Sequence, residues 1–343
     1  DVMVMKDNPN TWLEQTKEAI IEPEITICDP HHHFWDNRVE RGYPRYQLDE
    51  LLADITSGHN VKSTVYIEAR SMYAVDLPVE RRPVGEVEYV QGIAAASASG
   101  IYGESRAAAS IIGHANLNLG EKVRPVLESL ASASSRFRGI RHSVTWDPHP
   151  EVENTALHKY EGQLVSDKFQ AGARVLSEMG MTFEAWLYFH QLPQLLEFAK
   201  ALPDLTIILN HIGGLVMDGP YANKRDVVVE KWKDGIARVS ECPNVVVKLG
   251  GIGMPRTGFD WHERRVPIGS EELASSMAPY FNFCIDHFGA DRSMFESNFP
   301  VDKVSYSYQV LYNAFKRFSK NFSSDERSAM FHDNAINIYK VRT

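Results

Sequence analysis

A chain of 343 residues, 43% hydrophobic and 24% charged, can bury a large core and does not have a disordered composition. Its 36 basic and 45 acidic side chains give a formal charge of −9, which speaks against a footprint for nucleic acid or an anionic membrane and leaves small molecules as the expected partners. Cys28, Cys242 and Cys284 stand at spacings that support neither a disulfide framework nor a zinc knuckle.

Along the chain, short β-branched or apolar runs alternate with longer stretches of helical periodicity, the pattern of repeated βα units. Strands are predicted at Ile25–Asp29, Ser63–Glu68, Ala109–His114, Arg138–His142, Thr182–Leu187, Thr206–Asn210, Val245–Leu249 and Met294–Ser297. Helices are predicted at Val87–Ser99, Glu121–Ser132, Gln191–Ala201, Val227–Ser240 and Ser270–Phe288, with a closing helix over Ser323–Tyr339 that opens on a capping Ser-Ser-Asp-Glu. Eight such units, with no GxGxxG after the first strand, predict an α/β fold of the closed (β/α)8 TIM-barrel type. A single domain over residues 1–343 is expected, with an N-terminal extension over 1–22. The segments Arg70–Ala108 and Ser143–Arg174 exceed ordinary loop lengths and are expected to fold over the barrel mouth as lids. Two glycine pairs, Gly213-Gly214 and Gly250-Gly251, each follow a strand, where the backbone turns tightly or approaches a ligand. No stretch nears the roughly 18 apolar residues of a membrane-spanning helix, and Asp1 to Lys17 lack a signal peptide's apolar run. A cytoplasmic protein is expected, and a homo-oligomer is compatible with the sequence.

The strongest chemical signal is Asp29-Pro30-His31-His32-His33-Phe34-Trp35 at the end of the first strand. Side chains alternate along a strand, so His31 and His33 share one face and His32 takes the other. At a barrel mouth such an H-x-H pair supplies two metal ligands. His211 ends an apolar run and can reach the same mouth, and three imidazoles suffice for a tetrahedral zinc with one open position. His190 ends the fifth run, where a substrate contact is expected. Glu68 with Arg70, His114 with Asn116, Arg141 with His142, and Lys248 occupy other strand ends; cations there suit an anionic substrate. Trp186 is expected in an aromatic pocket wall. GxSxG, P-loop and HExxH motifs are absent, and Cys28 lies within a strand, where an inert thiol is expected.

The Asp-x-His-x-His-Phe-Trp run, Asn210-His211-Ile212-Gly213-Gly214, the segment from Phe288 to Pro300, and the closing Asn334-Ala335-Ile336-Asn337-Ile338-Tyr339 resemble the amidohydrolase superfamily. More closely, they are similar to its amidohydrolase 2 group of lactonases and decarboxylases, and the likeness runs from about residue 25 to 340. It implies a distorted TIM barrel with its site at the strand C-termini, often one divalent metal, and a sixth-strand histidine, His211, that binds metal or polarises a carbonyl. The family's eighth strand usually carries Gly-Ser-Asp-aromatic-Pro; this chain has Glu296-Ser297-Asn298-Phe299-Pro300. An amide cannot act as a general base, so Asn298 cannot take the usual aspartate's role, and Asp302 or Glu296 is expected to supply the carboxylate. The resulting expectation is a lactonase opening a small carboxylated or aromatic-derived lactone by water attack, with one divalent metal, zinc, on His31, His33 and His211. The alternatives are a metal-dependent non-oxidative decarboxylase of an aromatic or enoic acid, and a barrel that binds without catalysis.

Overall fold

A computed structural model describes residues 9–342 of the chain. One eight-stranded sheet runs in chain order, every neighbouring pair parallel: β1 Thr26–His32, β2 Asn60–Ile67, β3 Arg106–Gly113, β4 Phe137–Arg141, β5 Thr182–Ala185, β6 Ile207–Leu209, β7 Val245–Leu249 and β8 Ser293–Phe295. The ring closes past the end of β8, where the Asn298 N–H donates to the His31 carbonyl at 2.9 Å and the His33 N–H to the Phe299 carbonyl at 2.8 Å. Each predicted strand overlaps an observed one, and the fold is the expected (β/α)8 barrel. β6 and β8 keep only three paired residues each. Just beyond them Asn210 and Glu296 each donate one more N–H to the preceding strand, to the Ala185 and Leu249 carbonyls, and place buried polar side chains beneath the mouth.

The helix over Ser270–Phe288 matches its prediction, and that over Val84–Ala98 begins earlier than expected. Arg124–Ala133 begins later, because Gly120 at φ 60° kinks the preceding turns and Pro125 suits a first helical turn. Three helices of eight residues or more fall outside the expected elements: Leu48–Ile55, Asp167–Glu178 and Tyr308–Phe318. The last two are capped by Ser166 and Ser307, whose side chains accept from the Phe169 and Val310 N–H groups. The closing helix is not continuous: Ser324–Ser328 and Asn334–Tyr339 are joined by a wider turn over Ala329–Asp333.

These helices alter the expected lids. Val84–Ala98 packs on β3 as a barrel helix, and Asp167–Glu178 is the helix that follows β4. Only 70–83 and 142–166 remain as mouth-side segments. Within the expected extension, Pro9–Leu13 is helical and the Trp12 indole N–H donates to the Arg264 and Arg265 carbonyls; residues 1–8 lie outside the described residues.

Two large cores hold the fold, with a small cluster of Trp12, Leu13 and Tyr43 apart from them. One lies between sheet and helices. The other fills the barrel, where Cys28, Val65, Ile67, Ile112, Ile208 and Met294 meet Ala335, Tyr339 and Val341 of the closing segment. That segment plugs the barrel at the strand N-terminal end, tied by Ser110 and Arg138 bonds to the Tyr339 carbonyl. The other end is left open for a site. No described helix is long and apolar enough to cross a membrane.

Candidate active site

A register shift in β1 between Asp29 and His32 breaks the alternation counted from Cys28, and over residues 31–33 the alternation holds. His32 turns outward, its Nε2 at 2.8 Å from the Thr64 hydroxyl and its ring against Phe34 and Tyr66. His31 and His33 turn inward, with ring centroids 4.9 Å apart, and His211 joins from the end of β6 at 4.6 Å from His31. Asp29 secures the β1–β8 seam: its carboxylate accepts from the His31 and Ser297 N–H groups at 3.3 and 3.0 Å and from the Tyr308 hydroxyl at 3.0 Å.

Glu296 lies beneath the imidazoles, wholly buried. Its Oε1 is 2.6 Å from His211 Nδ1 and also accepts the His211 N–H at 3.1 Å. Its Oε2 lies 2.8 Å from His31 Nδ1, off the hydrogen-bonding direction, and has no hydrogen-bond partner among the described residues. His211 reaches this position through a left-handed backbone, φ 53°, that suits glycine better than a side chain. The pair Gly250-Gly251 makes the room: a Cβ on Gly250 would meet Glu296 at 2.4 Å, and one on Gly251, itself at φ 68°, would meet the His211 ring at 2.4 Å.

Below His31 a buried ion pair joins Lys248 to Glu184 at 2.9 Å; the same ammonium donates to the Pro30 carbonyl and lies 3.2 Å from His31 Nδ1. Glu184 also accepts from Tyr339 and Asn210. Arg141 is gripped by Glu68, donating to its Oε1 at 2.8 Å and its carbonyl at 2.6 Å, and lies 3.4 Å from His31 Nε2. Burial first, then the neighbouring cations, pushes the three imidazoles well below the usual histidine range, so they stand as neutral rings. Burial pushes Glu296 the other way, to about 8, against the pull of Lys248.

His33 meets two acceptors, the Ile67 carbonyl at 2.9 Å from Nδ1 and Asn298 Oδ1 at 3.3 Å from Nε2. A neutral ring carries one proton, and the shorter bond claims it. Nε2 and the Asn298 oxygen thus face each other as acceptors, a place for the proton of a water or a hydroxyl. The Asn298 amide is oriented by its Nδ2 bond to Asp302 at 2.8 Å, on a backbone at φ 55°.

Above these groups opens a cavity of about 400 Å³ lined by His33, His211, Asn298, Trp186, Glu68, Arg70 and Arg141. The Trp186 ring stacks edgewise on His211 at 4.8 Å, its N–H donating to the Thr155 hydroxyl. Of the residues selected from the sequence, Glu296 lies beneath this cavity and Lys248 deeper, under His31. Asp302, expected as a base, is instead wholly buried behind Asn298, with its oxygens taken by Asn298, the Gly253 N–H at 2.9 Å and the Tyr306 hydroxyl at 2.6 Å. It positions Asn298 and, buried behind that amide, does not face the cavity where a water would lie. His142 is not a substrate contact, because it turns outward onto Phe169, its Nδ1 accepting the Leu117 N–H. His190 also stands off the cavity, paired with Asp147 at 2.9 Å. Arg38, Arg41 and Arg256, not selected from the sequence, line the mouth as well. They come from loops, where spacing carries no orientation. Two charges set inside apolar strands, Glu184 and Lys248, were the available sign of the buried ion pair.

A sequence model of the amidohydrolase family matches residues 28–341. The uncharacterized protein y4mH of Sinorhizobium fredii is 32% identical over 330 residues, 93% of this chain and 99% of that protein. L-fucono-1,5-lactonase of Burkholderia ambifaria is 24% identical over 326 residues, 91% and 95% of the two chains. Among solved structures, an amidohydrolase from Burkholderia multivorans with bound zinc superposes with a TM-score of 0.71 at 21% identity, covering 92% of this chain and all of that one.

Proposed function

Since the chain belongs to the amidohydrolase family and is a hydrolase of that kind, we propose that it is a lactonase, opening a small anionic or polyhydroxylated lactone by water attack. The observation that carries this reading is His211: a neutral imidazole at the mouth, backed by a buried carboxylate and facing an arginine-rich cavity. The fuconolactonase relative supports it independently.

The residues also suit a divalent ion. The donor atoms of His31, His211 and Glu296 lie within 4.8 Å of one another, and the buried Glu296 Oε2 has no hydrogen-bond partner. Two nitrogens and a carboxylate oxygen are a zinc-type donor set, with positions left open. In this reading His31, His211 and Glu296 hold the ion, and His33, part of the trio expected from the sequence, keeps its Nε2 for substrate or water. Bound there, zinc would supply Lewis-acid polarisation of a carbonyl.

The chain's own groups also give a route that needs no ion. With no ion bound and Glu296 ionised, its carboxylate accepts the His211 Nδ1–H, which leaves the Nε2 lone pair for the proton of the attacking water and stabilises the imidazolium that forms. With an ion held by His211, this ring leaves the base role and His33 Nε2 accepts the proton. His33 Nε2 and Asn298 Oδ1 accept the water's other proton and aim its lone pair. The Arg141 guanidinium, fixed by Glu68, meets the negative charge that develops on the carbonyl oxygen. The imidazolium then returns its proton to the departing ring oxygen. Trp186 shields one side from bulk water.

A pH-indicator assay over a panel of aldono-1,4- and 1,5-lactones and carboxylated lactones, run on protein as isolated and after zinc is added, tests this. Acid release above the spontaneous rate is expected, with about one equivalent of metal by elemental mass spectrometry. Absence of acid release from every lactone in both preparations overturns the reading, and carbon dioxide release from aromatic acids would replace it with a decarboxylase.

A further inference from the structure

Outside the reacting cavity lies a second chamber of about 420 Å³ whose wall is made of Trp12, Tyr43, Pro44, Pro255 and Val304. It opens onto the first, because Trp35, Arg41, Met254 and Arg256 line both. The two chambers differ in chemistry. Arg38, Arg41, Arg70, Arg141 and Arg256 give the inner one a cationic character only partly offset by Glu40, Glu68 and Glu153. Apart from Glu40, Arg41, Glu153 and Arg256, which the two chambers share, and His262, the outer wall is aromatic rings, prolines and aliphatic side chains.

That wall is held rigidly. The Trp12 indole donates to two carbonyls across the mouth, the Trp35 indole donates to the Tyr43 carbonyl at 2.7 Å, and the Lys303 ammonium lies 5.2 Å over the Tyr43 ring. Preformed apolar surface beside a charged chamber costs free energy in water and binds most strongly a ligand that covers it. Between the chambers the Arg256–Glu153 pair and Arg41 form a polar collar. A molecule threading it would leave a polar or anionic head with the inner arginines and an apolar body outside.

We propose that the outer chamber is a substrate subsite for an apolar substituent, so that the preferred substrate is a lactone carrying an alkyl or aryl group of several carbons. The assignment to a substrate rests on the lactonase reading; the chamber's preference for an apolar tail does not. The helix Pro9–Leu13 contributes to specificity through Trp12, which touches no reacting group.

Binding and turnover test it separately on the full chain. In calorimetric titrations with straight-chain carboxylic acids of two to eight carbons, affinity is expected to rise about three- to fourfold for each methylene that enters the chamber. Val304→Phe, which narrows the chamber, and Trp12→Ala, which removes part of its wall, are expected to flatten that rise while leaving the shortest acid's affinity within about twofold. In turnover, kcat/KM for an alkyl-substituted lactone is expected to exceed that for the unsubstituted ring in the native chain and to lose that advantage in Val304→Phe. Affinity that does not change with chain length, or a rise that survives both variants, overturns the proposal. Tails that bind while no lactone reacts would overturn the lactonase reading and leave the apolar chamber standing; lactones that react with no preference for a tail would do the reverse.

Discussion

The structure holds two clusters of imidazoles, one buried throughout and one that includes the half-buried His158, and they differ in what lies around the rings. His31, His33 and His211 stand 4.6 and 4.9 Å apart by ring centroids; His114, His142 and His158 stand 5.2 and 5.8 Å apart, a similar density. In the first, a carboxylate lies under two rings, and His33 and His211 line the cavity. In the second, His114 Nδ1 is spent on the Arg141 carbonyl at 2.9 Å and His142 Nδ1 on the Leu117 N–H at 3.2 Å, while the His142 ring packs on Phe169. The cause is a single step of strand alternation: Arg141 turns into the barrel, so His142 must turn into the helix layer. Crowded histidines therefore mark nothing by themselves. A buried carboxylate beneath them and an open face above do.

The sharpest way to break the comparison is His211→Ala. It should lower kcat by about 10²- to 10⁴-fold, the ordinary worth of a positioned general base. The circular dichroism spectrum should stay native, since the ring lies at the mouth and not in the interior core. A loss under about threefold would move the base elsewhere, and His33 would be the next residue to change.

Asp302→Asn probes the support behind the site and should have a smaller effect. The carboxylate takes three donors and fixes the Asn298 amide. Losing such a support lowers kcat by about tenfold or somewhat more, with KM changing less. The variant also has a pH signature. Burial outweighs the three donors and pushes Asp302 up to about 7 from an ordinary 3.8, so the folded chain holds this proton more tightly than the unfolded one. Its contribution to stability is therefore greatest at low pH and declines as pH rises from about 4 to 7, by at most about 1.4 kcal/mol per unit. Urea unfolding at several pH values should show a shallower decline in Asp302→Asn. Equal slopes would mean that the carboxyl is ionised throughout.

Much of this was legible in the sequence because it rests on periodicity. The eight strands follow from β-branched runs, and the inward pair His31 and His33 from a period of two. His211 and Glu296 also stood out, each at a strand end. What could not be read is direction off the strands. Asp302, four residues past Asn298, turns back behind it because the chain bends through a left-handed residue there. Arg38, Arg41 and Arg256 reach the mouth from loops. The pair Lys248–Glu184 joins two residues 64 apart, one on β7 and one on β5, and no local pattern encodes it. His142 was misread because its neighbour Arg141 was taken with it, although adjacent strand residues face opposite ways. The Leu48–Ile55 helix was hidden by its brevity: eight residues under a Gln47 cap.

His142→Leu completes the comparison from the other cluster, and there the expected effect is close to none. Two terms of opposite sign meet at this ring. Its Nδ1 accepts the Leu117 N–H, so removing it strands a buried donor, at about 1–3 kcal/mol. With Nδ1 as acceptor, the ring's proton sits on Nε2, which is buried with no hydrogen-bond partner among the described residues; deleting that group returns a penalty of similar size. Leucine then offers Phe169 an apolar neighbour in place of a polar ring. The net change by urea unfolding should fall within about 1 kcal/mol, and kcat/KM on any lactone the native chain opens should stay within about twofold, because no reacting group touches this residue. A tenfold loss of turnover with stability unchanged would mean that the second cluster feeds the mouth after all, through Arg141, whose carbonyl His114 holds and whose guanidinium reaches His31.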